Sequence, residues 1–169
     1  MNILRAPSHE FVEAIRNELA VLPKCWSERI DDIPWILLQD SISPVWTGVM
    51  INESIANDGR KYSGIGGWYC PLNVNNNWRF APHIFLKPKS LHCAVHEAAH
   101  AIEDAIHAPV SNLFEPEKAL YPYMASNEDE FFACAVDAFL RHPDDERWNI
   151  EDLMNSGAEI YDYLRTQLS

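Results

Sequence analysis

Residues 91–104 read Leu91-His92-Cys93-Ala94-Val95-His96-Glu97-Ala98-Ala99-His100-Ala101-Ile102-Glu103-Asp104, and His96-Glu97-Ala98-Ala99-His100 within them has metal-site spacing. Two histidines four residues apart on a helix share one face, a turn apart, and can turn a ring nitrogen toward a single ion. The glutamate beside the first histidine is placed to take a proton from water held there. With seven histidines and fourteen glutamates, random order would give HExxH roughly 2 times in 100, so the surroundings decide. Leu91, Val95, Ala98, Ile102, Ala105 and Ile106 form one apolar stripe, and His96, Glu97, His100 and Asp104 fall on the opposite arc. An ordinary solvated face would carry Lys–Glu pairs, and this helix contains no Lys or Arg.

A catalytic zinc site takes three protein ligands and keeps one position open. A third histidine on the same helix would follow the metzincin spacing, but those positions hold Glu103 and Ile106, with His107 one residue out of register. The alternative is a carboxylate from a second helix. The run Ser126-Asn127-Glu128-Asp129-Glu130-Phe131-Phe132-Ala133-Cys134 offers three. Glu128 and Asp129 are explained by the helix dipole, with Asp129 at the capping-box position after Ser126. Glu130 is the expected ligand: small Ala133 and Cys134 one turn on let the helices approach, and Phe131, Phe132, Ala135 and Phe139 anchor the other side. Asp104 and Asp137 are weaker candidates to orient a ligand imidazole, each reading first as a surface carboxylate. Cys93 reads as a small buried thiol.

These pieces together resemble the catalytic domain of anthrax lethal factor and are similar to the related Pro-Pro endopeptidases. The shared pattern is HExxH followed about thirty residues later by Asn-Glu-x-Glu-Phe-Phe-Ala, here residues 96–100 and 127–133. The resemblance covers roughly residues 45–142, with specific motifs only in the last fifty. It implies a zincin-like α+β domain of the gluzincin type holding one Zn²⁺ per chain on His96, His100 and Glu130. It further implies Glu97 as general base. The family's tyrosine, seven residues before the ligand glutamate, falls on Tyr123 as oxyanion donor, with Tyr121 as its neighbouring alternative. The chain departs from the family at Ala98-Ala99, where Phe-Gly is frequent, and at Cys134, where Glu is common. The activity implied is zinc-dependent hydrolysis of peptide bonds in an extended protein segment, with zinc and Glu97 activating water and zinc and Tyr123 stabilising the oxyanion. Two alternatives stand beside it. One is a zinc-holding interaction or toxin-accessory module without turnover, in which Glu97 would have no use. The other is a catalytic effector domain that works only after delivery.

The elements that must position these residues follow from pattern. Ser8 caps a helix whose Phe11, Val12, Ile15 and Leu19 recur at helical spacing up to Leu22, before Pro23. Residues 24–44 read as irregular, with a short helix or strand at 35–39. Strand-like runs at 45–51, 66–71 and 82–88 are punctuated by turns at 57–59 and 75–77. A helix over 91–107, capped by Ser90, carries HExxH, and a second starts after Ser126 and runs to His142, before Pro143. One or two short helices complete the tail. The expected architecture is α+β, a small mixed sheet followed by helices: residues 1–44 a helix and irregular segment, 45–88 the sheet, 89–142 the catalytic helices, 143–169 the C-terminal helices. Residues 66–69 are the strand expected to receive substrate by β-addition.

At 169 residues the chain has room for one domain. Thirteen basic against twenty-five acidic residues leave a net charge of −12. That field disfavours nucleic acid and anionic membrane, and favours a basic protein or peptide substrate. No apolar run approaches a membrane span. The N-terminus lacks a general secretion signal, so the chain is expected in the cytoplasm, or exported by a dedicated route. Cys25, Cys70, Cys93 and Cys134 form no CxxC pair and read as free thiols in a reducing compartment.

Overall fold

The computed structural model describes residues 1–37, 67–70 and 83–167. They cluster as two compact units, one of Met1–Glu18 and Asp31–Ala94, the other of Leu19–Ile30 and Val95–Ser169.

The first unit carries a mixed sheet. Strands β1 (Asn2–Arg5), β2 (Pro34–Leu37), β3 (Gly67–Cys70) and β4 (His83–Leu86) lie in the order β1-β2-β4-β3. β1 with β2 and β2 with β4 are parallel, and β3 runs antiparallel to β4. Trp35 is level with Ile84 and Leu37 with Leu86, and all four are buried. Residues two apart on a pleated strand share a face, so these four lie on one covered face of the sheet. Among the described strands, β3 is last in the sheet order. Helix α1 (His9–Leu19) buries Phe11 and Ile15, one turn apart, and Ser8 Oγ accepts from the Phe11 amide at 3.2 Å, as the sequence predicts.

The second unit is helical: α2 (Lys24–Ile30), α3 (Ala94–Ile106), α4 (Val110–Leu113), α5 (Glu128–Phe139), α6 (Ile150–Ser156) and α7 (Glu159–Gln167). Among these helices α5 is the hub, contacting α4, α6 and α7. Its run Phe131–Val136 is buried throughout; Phe114 meets Phe131 edge-on with ring centroids 5.6 Å apart, and Phe139 meets Tyr161 at 5.7 Å. Among the described residues, no helix is long and apolar enough to cross a membrane.

Several elements differ from expectation. Residues 24–30 form α2 and 2–5 form β1, neither of which the sequence signals: each is too short to establish a period. The strand expected at 45–51 and the turns at 57–59 and 75–77 lie outside the described residues. Ser90 does not cap the HExxH helix. It sits inside a 3₁₀ segment, Pro88–Cys93, with non-helical φ −117° and ψ 28°, and α3 begins only at Ala94. Ser126 is likewise not the cap of α5, so Asp129 is not its capping-box residue. Asn127 is the cap, its Oδ1 accepting from the Glu130 amide at 2.9 Å. The tail forms two helices, and α6 has a complete capping box: Asn149 Oδ1 accepts from the amides of Glu151 and Asp152, while Asp152 Oδ2 accepts from the Asn149 amide.

Candidate metal centre

The second unit contains every residue expected in the site. On α3, the spacing of His96 and His100 puts their rings edge to face, with centroids 4.8 Å apart. The face they share is not the solvated arc that the polar residues suggest: their side chains are 14% and 15% exposed, and Glu97 between them is buried. Ala94, Val95, Ala98, Ala99, Ala101 and Ile102 are also buried, so small residues let α3 be enclosed on most sides. The helix stops at His107, which takes a left-handed φ of 51°. The Ala108 amide reaches back to the Glu103 carbonyl and the His107 amide to that of Asp104, a Schellman ending with histidine where glycine is usual.

From α5, Glu130 supplies the carboxylate. Its Oε2 lies 3.0 Å from His96 Nε2 and 3.7 Å from His100 Nε2. An ion with nitrogen and oxygen ligands about 2.0–2.1 Å away in tetrahedral geometry spaces its donors about 3.4 Å apart, between these two distances. The same Oε2 is buried and makes no well-aligned hydrogen bond. A buried carboxylate oxygen close to two imidazole nitrogens without a well-aligned hydrogen bond fits a cation as a further partner.

The electrostatics of the metal-free centre agree. Burial pushes His96 down, but Cys134, Glu130 and the nearby charge of Glu97 outweigh it and hold the imidazole well above its ordinary 6.5. Burial also lowers His100, yet Glu103 and Glu130 raise it to about 9. Glu130, although burial favours its neutral form, is held well below the usual carboxylate range by His100 and His96. Protons on the imidazoles thus supply the positive charge these acidic groups require, and a divalent cation supplies the same charge.

Two residues of the centre were not signalled as such. Cys134, whose side chain reads as merely small, is buried with Sγ 3.8 Å from His96 Nδ1. His96, Glu130 and Cys134 form a group whose ligand atoms all lie within 4.8 Å of one another and which could hold a metal ion. The signal was available: Glu130 and Cys134 repeat on α5 the four-residue spacing of His96 and His100 on α3. Glu103, three residues after His100, has a carboxylate oxygen 3.9 Å from His100 Nδ1. Burial raises its pKa, His100 opposes that, and Asp129 on α5 adds to the rise. Two other carboxylates, Asp104 and Asp137, were suggested for orienting an imidazole. Asp104 is exposed, and Asp137 is gripped through both oxygens by Arg141 Nη2 at 2.7 Å.

Tyr123 is near the centre and partly open to solvent: its ring centroid is 6.1 Å from that of His96 and it is 38% exposed. Tyr121 is less accessible, stacked on Trp148 with planes 8° apart and centroids 6.0 Å apart. Burial, then Cys134, pushes its hydroxyl pKa far up. Of the two tyrosines, Tyr123 is the one whose ring lies against a metal-site histidine and is exposed. Among the described residues, Cys25 is exposed, Cys93 half-buried and Cys134 buried, all as free thiols. No protein-family model matches the chain, and no curated protein matches it.

Proposed function

We propose that the chain is a zinc-dependent endopeptidase acting on an extended protein segment. The observation that carries this reading is the convergence of His96 Nε2 and His100 Nε2 on one buried oxygen of Glu130 that makes no well-aligned hydrogen bond. His96, His100 and Glu130 would hold one zinc, leaving a coordination position for water. Bound zinc supplies a strong positive charge that acidifies water and polarises a carbonyl.

The chain's own residues do the rest. Glu97 adjoins His96 in sequence, is buried, and contributes negative charge to both histidines. It takes a proton from the attacking water and returns it to the leaving amine. The Tyr123 hydroxyl donates to the carbonyl oxygen as negative charge grows there. Residues 66–69, expected to receive substrate by β-addition, would hold an extended segment through main-chain hydrogen bonds. The resemblance of residues 96–100 and 127–133 to lethal factor-like peptidases supports the same assignment. The net charge of −12 favours basic substrates, in a reducing compartment suited to the free thiols.

The metal group that includes Cys134 favours a second reading, a non-catalytic module whose zinc is closed by four protein donors. Metal content by mass spectrometry, with a peptide-library cleavage assay, separates the two. The peptidase reading expects one zinc per chain in the wild type, loss in Glu130→Gln, and retention without cleavage in Glu97→Ala. Zinc retained with no cleavage by the wild type favours the closed module. A folded wild type that takes up no zinc when it is supplied removes both.

A further inference from the structure

We propose that Trp148 is a positioning residue for Tyr123: stacked on Tyr121, it fixes the segment that holds the Tyr123 ring against His96. This role rests on the peptidase reading above, in which Tyr123 is the oxyanion donor.

Residues 119–127 join the 3₁₀ turn Pro116–Lys118 to α5 and belong to no helix or strand, so side chains fix much of their path. Tyr123 itself is 38% exposed, its ring tilted 39° to that of His96 with centroids 6.1 Å apart. A ring that open to solvent is not held by burial, so its place depends on the chain on either side of it. On the C-terminal side, Met124 is fully buried with Sδ 3.5 Å from the Leu120 amide, and the Ser126 amide donates to the Tyr123 carbonyl at 3.1 Å. On the N-terminal side the anchor is Tyr121. Its hydroxyl lies beside Cys134, and its ring is stacked on Trp148 with planes 8° apart and centroids 6.0 Å apart. That is the offset arrangement aromatic pairs favour. Between the two tyrosines stands Pro122, whose ring locks φ at about −65° and so passes the placement of Tyr121 on to Tyr123.

Trp148 can serve as the backing for Tyr121 because its own neighbours are fixed. On one side, Arg147 binds Asp145 through Nε at 3.0 Å and Nη2 at 2.8 Å. On the other, Asn149 is buried, caps α6 and donates from Nδ2 to the Pro143 carbonyl at 3.1 Å. The indole between them is 47% exposed. An indole this open contributes little to the core, and its ring partner is Tyr121. Without it, one face of Tyr121 is uncovered and the ring gains other rotamers, which Pro122 carries over to Tyr123. A misplacement of about 1 Å in a group that must meet a developing charge costs about 10²-fold in rate.

The test compares wild type, Trp148→Ala, Trp148→Phe, Tyr123→Phe and the double variant Trp148→Ala/Tyr123→Phe in the full chain, each first shown to fold by circular dichroism. Nuclear Overhauser contacts between the Tyr123 and His96 rings are recorded without metal. Zinc content, kcat and KM of peptide cleavage are then measured on the loaded proteins. Trp148→Ala should lose the Tyr123–His96 ring contact and lower kcat by about 10–100-fold, with zinc content and KM unchanged. Trp148→Phe, which keeps a flat ring under Tyr121, should restore most of both. Tyr123→Phe should lower kcat by about 10²–10³-fold, and adding Trp148→Ala to it should change kcat less than twofold. An intact ring contact in Trp148→Ala overturns the proposal. So does an equal loss of kcat from Trp148→Ala in both backgrounds, since that loss would not pass through Tyr123. If Trp148→Ala does not fold, Trp148→Leu replaces it in every measurement, and failure of both to fold would make Trp148 a residue of global stability and overturn the positioning role. A wild type that holds zinc but cleaves no peptide removes the peptidase reading, and the ring contacts then decide alone whether Trp148 places Tyr123.

Discussion

Glu97 and Glu130 are both acidic residues of one buried centre, and the chemistry separates them. Removing the base should leave zinc in place and lower kcat of peptide cleavage by about 10²–10⁴-fold in Glu97→Gln, with KM little changed. Removing the ligand should release the ion, so Glu130→Gln is expected to lose zinc on dialysis along with activity. The protons on the two histidines make zinc uptake pH-dependent in a definite direction. His100 is raised to about 9 and His96 well above 6.5, so at neutral pH zinc must displace a proton from each. Affinity therefore rises with pH up to about 9 and falls below it. Between pH 7 and pH 6 the drop should be about 100-fold if both protons are released, measured by dye competition in matched ionic strength. A pH-independent constant over that interval would show that zinc displaces no proton from the two imidazoles there. In the metal-free protein the sign is opposite: pairing of the raised His100 with acidic partners stabilises the fold fully below about 6.5 and is lost as pH passes about 9.

Among the elements, α5 decides whether the centre exists, because it carries Glu130 to α3 and packs on three neighbours. Its first turn is held by Asn127, whose side chain accepts from the Glu130 amide itself. Asn127→Ala should cost about 1 kcal/mol in chemical denaturation and weaken zinc binding, since the turn it frees holds a ligand. Asn127→Asp, which keeps the cap, should do neither. At the other end of α3, His107 occupies a left-handed position that glycine adopts without a Cβ penalty. His107→Gly is expected to raise stability by about 0.5–1 kcal/mol with zinc affinity unchanged. Both helices were legible because they are long and strongly periodic. Their starts were not: Ser90 and Ser126 are good capping types, but Asn127 competes one residue away, and Pro88 draws the chain before α3 into a 3₁₀ turn. The sheet was legible in β3 and β4, from Trp68 and Tyr69 and from Ile84, Phe85 and Leu86, and illegible in β1, whose four residues acquire strand character only by pairing with β2.

For the molecule as a whole, charge and metal act over different ranges. A net charge of −12 attracts basic peptides at distances that salt screens. The ratio kcat/KM for a Lys/Arg-rich substrate should fall as ionic strength rises from 0.02 to 0.2 M, through KM, while a neutral substrate changes little. All proposed ligands belong to the unit formed by Leu19–Ile30 and Val95–Ser169. Zinc at 100 times its Kd should therefore stabilise that unit by about 2.7 kcal/mol, read as a rise in the calorimetric transition that EDTA reverses.

Read alone, the sequence determined the chemistry available: which residue types could bind a cation, that His96 and His100 share a helix face, that Glu130 is the candidate third donor, and that the helices carrying them follow the strands. Those conclusions depend on near neighbours along the chain, where helical and strand periods are set by local geometry. Only the tertiary structure decided which nitrogen of His96 meets Glu130 and which meets Cys134, that Glu103 lies beside His100, and that Glu97 on the polar arc of α3 is buried. These are relations between side chains far apart in the chain, 34 residues apart for His96 and Glu130 and 38 for His96 and Cys134. No local period encodes them; they arise when α5 packs, and the packing of its apolar face fixes where its two polar side chains arrive.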